Sequence, residues 1–219
     1  MPSRSLNRLL WALALLGILY FGFKAQDTLD AYFIGVGSLS VREEPAQDTV
    51  YLTWRGRIDA PMEARLQEAF EKYKGSTRTF VLDLSSPGGA IDHGARVVRL
   101  LRQVRETHRV DTRVEAGKHC ASMCVPVFLQ GERRTAAADS RFMFHEVSFR
   151  EELSDDEVAV PQRAKSSATD RLFARFFVPA GVSQSWITKV RAEMAGGNDV
   201  WLTGAELVDE QAGIVQKLD

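Results

Sequence analysis

The chain predicts a single α/β domain on a parallel sheet, set behind an apolar N-terminal segment. Three observations carry this. Short strand-like runs alternate with segments of helical period, the pattern of strands joined by crossover helices. Gly, Pro, Ser and Thr punctuate the joins, as at Pro61, Gly75, Pro87-Gly88-Gly89 and Gly196-Gly197. With 219 residues the chain is long enough to bury one full core, and neither an internal repeat nor a low-complexity tract divides it.

Taken in order, Leu9 to Phe23 is an uncharged stretch of 15 residues behind Arg4 and Arg8, closed by Lys24. As a helix it spans about 22 Å of a hydrocarbon layer about 30 Å thick. It reads as a signal anchor or a signal peptide over 1–25. No small-x-small cleavage pattern precedes Ala25-Gln26, which favours an uncleaved anchor stretched by Lys24. The Arg4/Arg8 flank places the N-terminus in the cytoplasm and the domain in the periplasm or another extracytoplasmic space, with secretion after cleavage as the alternative. Such a compartment has no nucleotide supply.

Residues 26–48 read as a linker, with one short strand near Ala31 to Gly35, and the domain as 49–219. Val50 to Gly56 is a strand, and Pro61 opens a helix with Met62, Leu66, Ala69, Phe70 and Tyr73 on one face, closed by Gly75. Thr79 to Leu84 is the next strand. Ile91, Ala95, Val98, Leu101 and Val104 then form the apolar face of a helix whose other face carries Arg96, Arg99, Arg102 and Arg105. Val110 to Glu115 is a strand, Ala121 to Leu129 a helix starting at Ser122, and Arg141 to His145 a fourth strand. Val147 to Pro161 is acidic and aperiodic, a surface insertion within which Glu151 to Glu157 is the candidate gate. Leu172 to Phe177 is a helical face suited to core or oligomer contact. Ser183 caps a helix bearing Trp186, Ile187, Val190 and Met194. Thr203-Gly204-Ala205-Glu206 has capping-box spacing, and Gly213 to Val215 reads as a closing strand.

Twenty-eight basic and 29 acidic residues give a formal net charge of −1, with no basic run interleaved with aromatics, so no nucleic-acid partner is expected. The chemistry concentrates elsewhere. Ser122 sits at a strand-to-helix turn, and His145, the side-chain type that most often serves as a general base, ends a strand 23 residues on. Ser86-Pro87-Gly88-Gly89-Ala90 is a loop whose glycines let a backbone N–H approach a developing oxyanion, and Met123 N–H is a second donor. Nucleophile, base and oxyanion donors are the minimum for acyl transfer. A serine there is also an ordinary helix N-cap, and a strand-end histidine an ordinary core residue. Asp199 is the candidate for orienting the imidazole, although an aspartate before a strand is commonly a turn residue. Cys120 and Cys124 with His119 and His145 make a poor zinc signature, so neither metal nor cofactor is expected. A disulfide and two buried thiols both remain open.

In this order the motifs resemble the proteolytic subunit of the Clp protease (ClpP) and its relatives on the crotonase-like fold, over about Val50 to Leu218. The carriers are Tyr51 to Asp59, Ser86 to Ala90, Ala121-Ser122-Met123, Arg141 to His145 and Asp199 to Glu206. The resemblance implies a spiral of ββα units preceded by the N-terminal hydrophobic helix, homo-oligomeric assembly, and a Ser122-His145-Asp199 triad with Gly88, Gly89, Ala90 and Met123 at the oxyanion and substrate site. Its implied activity is that of a serine peptidase acting on extended or unfolded polypeptide. Departures are the two cysteines around the serine, the acidic insertion and the N-terminal segment, which give it the look of a membrane-linked or exported member. Signal peptide peptidase relatives use a Ser-Lys dyad, for which Lys118 is the candidate, but His145 stands where the Clp-type base belongs. A catalytically idle scaffold or binding module on the same fold is the alternative, and an acyl-CoA enzyme of the crotonase type is disfavoured because it has no need of Ser122 and His145 together.

Overall fold

A computed structural model describes residues 37–147 and 162–219. Nine strands form two sheets. The larger runs β1 (Ser38–Glu44), β2 (Thr49–Arg55), β3 (Thr79–Ser85), β4 (Arg109–Val114), β6 (Arg134–Ala136) and β9 (Lys217–Leu218) in that spatial order, parallel throughout except for the β1–β2 pair. The smaller has β7 (Arg141–Phe144) between β5 (His119–Ala121), which is parallel to it, and β8 (Val200–Thr203), which is antiparallel. A bridge from Ser86 to Cys120 joins the end of β3 to β5, so the two sheets meet where the glycine loop meets the turn at Ser122.

Parallel strands need crossover connections, and the helices supply them. Helix α1 (Ala60–Tyr73) starts with Pro61 in its first turn, where a missing N–H costs nothing, and buries Met62, Leu66, Ala69 and Phe70. Helix α2 (Ile91–Val104) buries Ala95, Val97, Val98 and Leu101 and leaves Arg99, Arg102 and Arg105 exposed. Ile91 departs from the predicted face: at the first turn it is 40% exposed and faces a cleft. The core between strands and helices holds Leu52, Trp54, Phe80, Leu82, Phe128 and Phe142, all fully buried. Removing such side chains from water is the main favourable term in folding.

Several boundaries differ from the sequence reading, each for a local reason. β1 occupies part of the stretch read as a linker, because a mostly exposed edge strand needs only one core contact, Leu39, and so shows no alternation. Helix α3 (Cys124–Phe128) starts after Ser122 rather than at it, since Cys120 and Ala121 are strand and Ser122 is a left-handed turn residue. The chain closes at β9 rather than at Gly213 to Val215: Gly213 has φ +76°, and the carbonyls of Gly213 and Ile214 accept from the buried Arg134 guanidinium at 2.9 Å each.

Helix α4 (Gln162–Leu172) runs into a π-turn (Phe173–Phe177) and α5 (Gln184–Met194) follows, its first turn capped by the Ser183 hydroxyl as expected. Helix α6 (Gly204–Asp209) opens with the complete Thr203/Glu206 capping box, which holds the Glu206 carboxyl below its ordinary pKa through the Thr203 N–H and hydroxyl. The apolar segment 9–23, the strand near 31–35 and the acidic stretch 148–161 lie outside the described residues. Among the described residues no helix is long and apolar enough to cross a membrane.

Candidate active site

Ser122 is held by its backbone before its side chain does anything. Its φ is +53°, in the left-handed region that a β-carbon makes costly, and hydrogen bonds border the turn on both sides. Ser122 N–H donates to Met143 O at 2.9 Å, Ala121 N–H to Ser86 O at 2.9 Å, and Val125 N–H back to Ser122 O at 3.0 Å. The result aims Oγ at the end of β7. There His145, half-buried like the serine, places Nε2 2.7 Å from Ser122 Oγ, and the hydroxyl donates to it in the tautomer that carries its proton on Nδ1. This is the nucleophile–base contact that general-base activation of a serine requires.

The glycine loop packs directly on this turn. Gly88 has φ +94°, and a β-carbon there would come within 2.7 Å of Ala121 O and 2.8 Å of Ser122 Cβ, so only glycine fits. Gly88 N–H donates to Ser86 Oγ at 3.0 Å and its carbonyl accepts from Ile58 N–H at 2.8 Å, so Gly88 fastens the loop to β3 and to the segment after β2. Gly89 bridges Ile58 in parallel and approaches it so closely that a β-carbon would lie 2.1 Å from Ile58 O. Among the described residues neither Gly89 N–H nor Met123 N–H has an acceptor. The two line one cleft with Ala90, Ser122 and His145.

That cleft has a volume of about 890 Å³. Its walls are apolar on the side of Ile91, Leu172, Phe173 and Phe177, with Arg57 and Arg175 at the margins. Arg57 pairs with Asp59 at 3.1 Å and Asp92 with Arg96 at 3.2 Å. The sequence reading assigned Leu172 to Phe177 to core or oligomer contact. Phe173 and Phe177 are indeed buried, stacked with centroids 4.2 Å apart, but the π-turn also presents them to the cleft. Ser86 is the residue the sequence reading passed over as a mere loop member. It is fully buried and ties loop, β3 and β5 together through its hydroxyl, N–H and carbonyl; a serine at the foot of a Pro-Gly-Gly loop was the available signal.

Asp199 is placed differently from the other candidates. The last β7–β8 pair is Phe144 with Val200, so one step further along the antiparallel register sets Asp199 opposite His145. Its side chain is exposed, and among the described residues it makes no hydrogen bond to His145. Lys118 precedes β5, where its carbonyl accepts from Arg141 N–H at 2.9 Å, and it has no described hydrogen bond to Ser122.

Cys120 and Cys124 form a disulfide with Cα atoms 5.2 Å apart. A disulfide was one of the two alternatives open from sequence; the left-handed turn at Ser122 brings the end of β5 and the start of α3 closer than two positions one helical turn apart would lie. No group of His, Cys, Asp and Glu among the described residues has the geometry to hold a metal ion.

No family model matches the chain. No curated protein matches it either. Among solved structures it is similar to a point mutant of ClpP1 from Listeria monocytogenes, with a TM-score of 0.58 and 18% identity over 80% of this chain and 92% of that one. At that identity the likeness speaks to architecture alone, and the described domain has a ClpP-like mixed α/β fold.

Proposed function

We propose that this chain is a serine endopeptidase that cleaves extended or unfolded polypeptide through an acyl-enzyme. The observation that carries the reading is the 2.7 Å contact between Ser122 Oγ and His145 Nε2, made by a serine in a left-handed turn on the wall of a large cleft. A peptide lies along Gly88-Gly89-Ala90 as an added strand. Ser122 Oγ attacks the scissile carbonyl while His145 Nε2 takes its proton, and Met123 N–H with Gly89 N–H receives the oxyanion. His145 then gives the proton to the leaving amine, and water, activated by the same nitrogen, frees the acyl group. Asp199 orients the imidazole once its carboxylate turns toward Nδ1. With the domain outside the cytoplasm no nucleotide is supplied to drive an unfolding ATPase, so hydrolysis runs without ATP on polypeptide that arrives already extended or unfolded.

The reading extends to place and assembly. The Arg4/Arg8 flank and the segment 9–23 support a membrane anchor with the domain outside the cytoplasm, and the Cys120–Cys124 bond supports an oxidising compartment. Several copies associate, for which half-exposed Val178 and exposed Trp201 offer apolar surface. Fractionation of expressing cells should find full-length chain in membranes, released by detergent and not by carbonate. A soluble form beginning near Ala25 would show cleavage and secretion instead.

A second reading, an idle scaffold, is favoured by one observation, the exposed Asp199. A fluorophosphonate probe decides between them. The peptidase is labelled at Ser122, loses label and casein hydrolysis together in Ser122→Ala, and keeps its circular dichroism. An unlabelled, folded wild type is a scaffold.

A further inference from the structure

Four residues apart and on either side of Ser122, Cys120 and Cys124 close a covalent ring around the nucleophile. We propose that this cystine is the positioning element of the turn: it holds Ser122 in the left-handed conformation, so that acylation of the serine depends on the two sulfurs being bonded. The inference rests on Ser122 being the nucleophile.

The argument starts from what each cysteine is attached to. Cys120 is the middle residue of β5, paired with Phe142 on one side and bridged to Ser86 on the other, so its position belongs to the sheet. Cys124 is the first residue of α3, whose five residues give it little helical stability of its own, so that its start depends on the buried packing around it and on the sulfur bond. Ala121 stays paired with Met143, but without the sulfur bond Ser122 could settle into the right-handed or extended backbone that a serine prefers, carrying Met123 with it. A chain of four residues can reach about 13 Å, and the bond keeps its ends at 5.2 Å. Gly88, packed against Ala121 O and Ser122 Cβ, closes the remaining direction of escape. Any relaxation of Ser122 would move Oγ off His145 Nε2 and swing Met123 N–H, the next peptide, away from the cleft. Both cysteines are fully buried, so the ring is a standing brace that a reductant reaches only when the turn opens. Reduction is balanced by a dithiol: it supplies two electrons and two protons, the Sγ–Sγ bond becomes two thiols, and the reagent leaves as its own disulfide.

The test compares oxidised full-length protein with the same protein reduced by dithiothreitol, with protein reoxidised afterwards, and with Cys120→Ala/Cys124→Ala. Active-site titration by a fluorophosphonate counts reactive serines, and the acylation rate per titrated site measures their positioning. The expected result is an unchanged number of sites, circular dichroism and peptide KM, with the rate per site and kcat lower on the order of tenfold, the ratio matching the usual cost of a left-handed residue. Reoxidation restores the wild-type rate. An equal rate per site without the cystine overturns the inference, as does a fall in titratable sites at constant rate per site, which marks a staple of the fold only. Loss of the folded circular dichroism signal in both the variant and the reduced protein has the same meaning. If oxidised wild type is never acylated, the peptidase reading itself fails and this inference with it.

Discussion

Asp199 shows how a residue can be well placed by its strand and still make no contact. The β7–β8 register carries it to the position across from His145, yet its carboxylate faces water, where it keeps its full solvation. A rotation about its side-chain bonds exchanges that solvation for a charge-assisted hydrogen bond to Nδ1, and the exchange favours the bond most when the cleft is filled and dry. Asp199→Asn, which preserves shape and removes charge, should therefore lower kcat by roughly a hundredfold or more while KM changes little. Turnover within a factor of about two of wild type would instead assign the chemistry to Ser122 and His145 alone. At this scale Ser122 and His145 were legible because few residue types can act as nucleophile and base, and their order along the chain was informative. Ser86 and the cleft-lining phenylalanines were not, because a buried hydroxyl bonding to backbone and an aromatic facing a cleft carry no distinct spacing in sequence.

Long elements were easier to read than short ones. α1, α2 and α5 each run three turns or more, enough for a buried face to repeat, whereas β5, β6 and α3 have three to five residues and show no period at all. The pairing of β3 with β4 adds something that hydropathy hides. Asp83 and Arg113 stand directly opposite in register, joined by two hydrogen bonds of 2.5 and 3.0 Å, with the carboxylate side chain 5% exposed. Burial raises the Asp83 pKa above 3.8 against the opposing pull of Arg113. At the less enclosed guanidinium the pairing prevails and raises the pKa. A buried carboxyl with a raised pKa takes up its proton at higher pH in the folded state than in the unfolded one. Its contribution to stability therefore grows as pH falls toward 3.8 and declines as pH rises through the folded value. Arg113→Met strands the charge and should cost about 3–5 kcal/mol near neutral pH. The deficit should shrink on acidification, as Asp83 becomes neutral. Urea midpoints of both proteins at about pH 7 and about pH 4.5 check this, and a deficit independent of pH would mean that the two hydrogen bonds contribute only packing.

Across the whole molecule, the alternation of strand and helix was readable because crossover connections impose it, while the split into two sheets was not, since the second is built of strands of three to four residues and is tied to the first by one bridge between Ser86 and Cys120. That bridge has a bearing on timing. Loop, nucleophile and base arrive on β3, β5 and β7, segments far apart in the chain whose pairings are among the slower events of folding, because long loops must close before any contact forms. A nascent or partly folded chain then holds every residue of the reaction and none of its geometry. On the peptidase reading it is inert toward itself and toward its neighbours while it is being made, and hydrolytic power arrives only as those long-range pairings complete. Immaturity itself is then the safeguard while such a chain is made and moved.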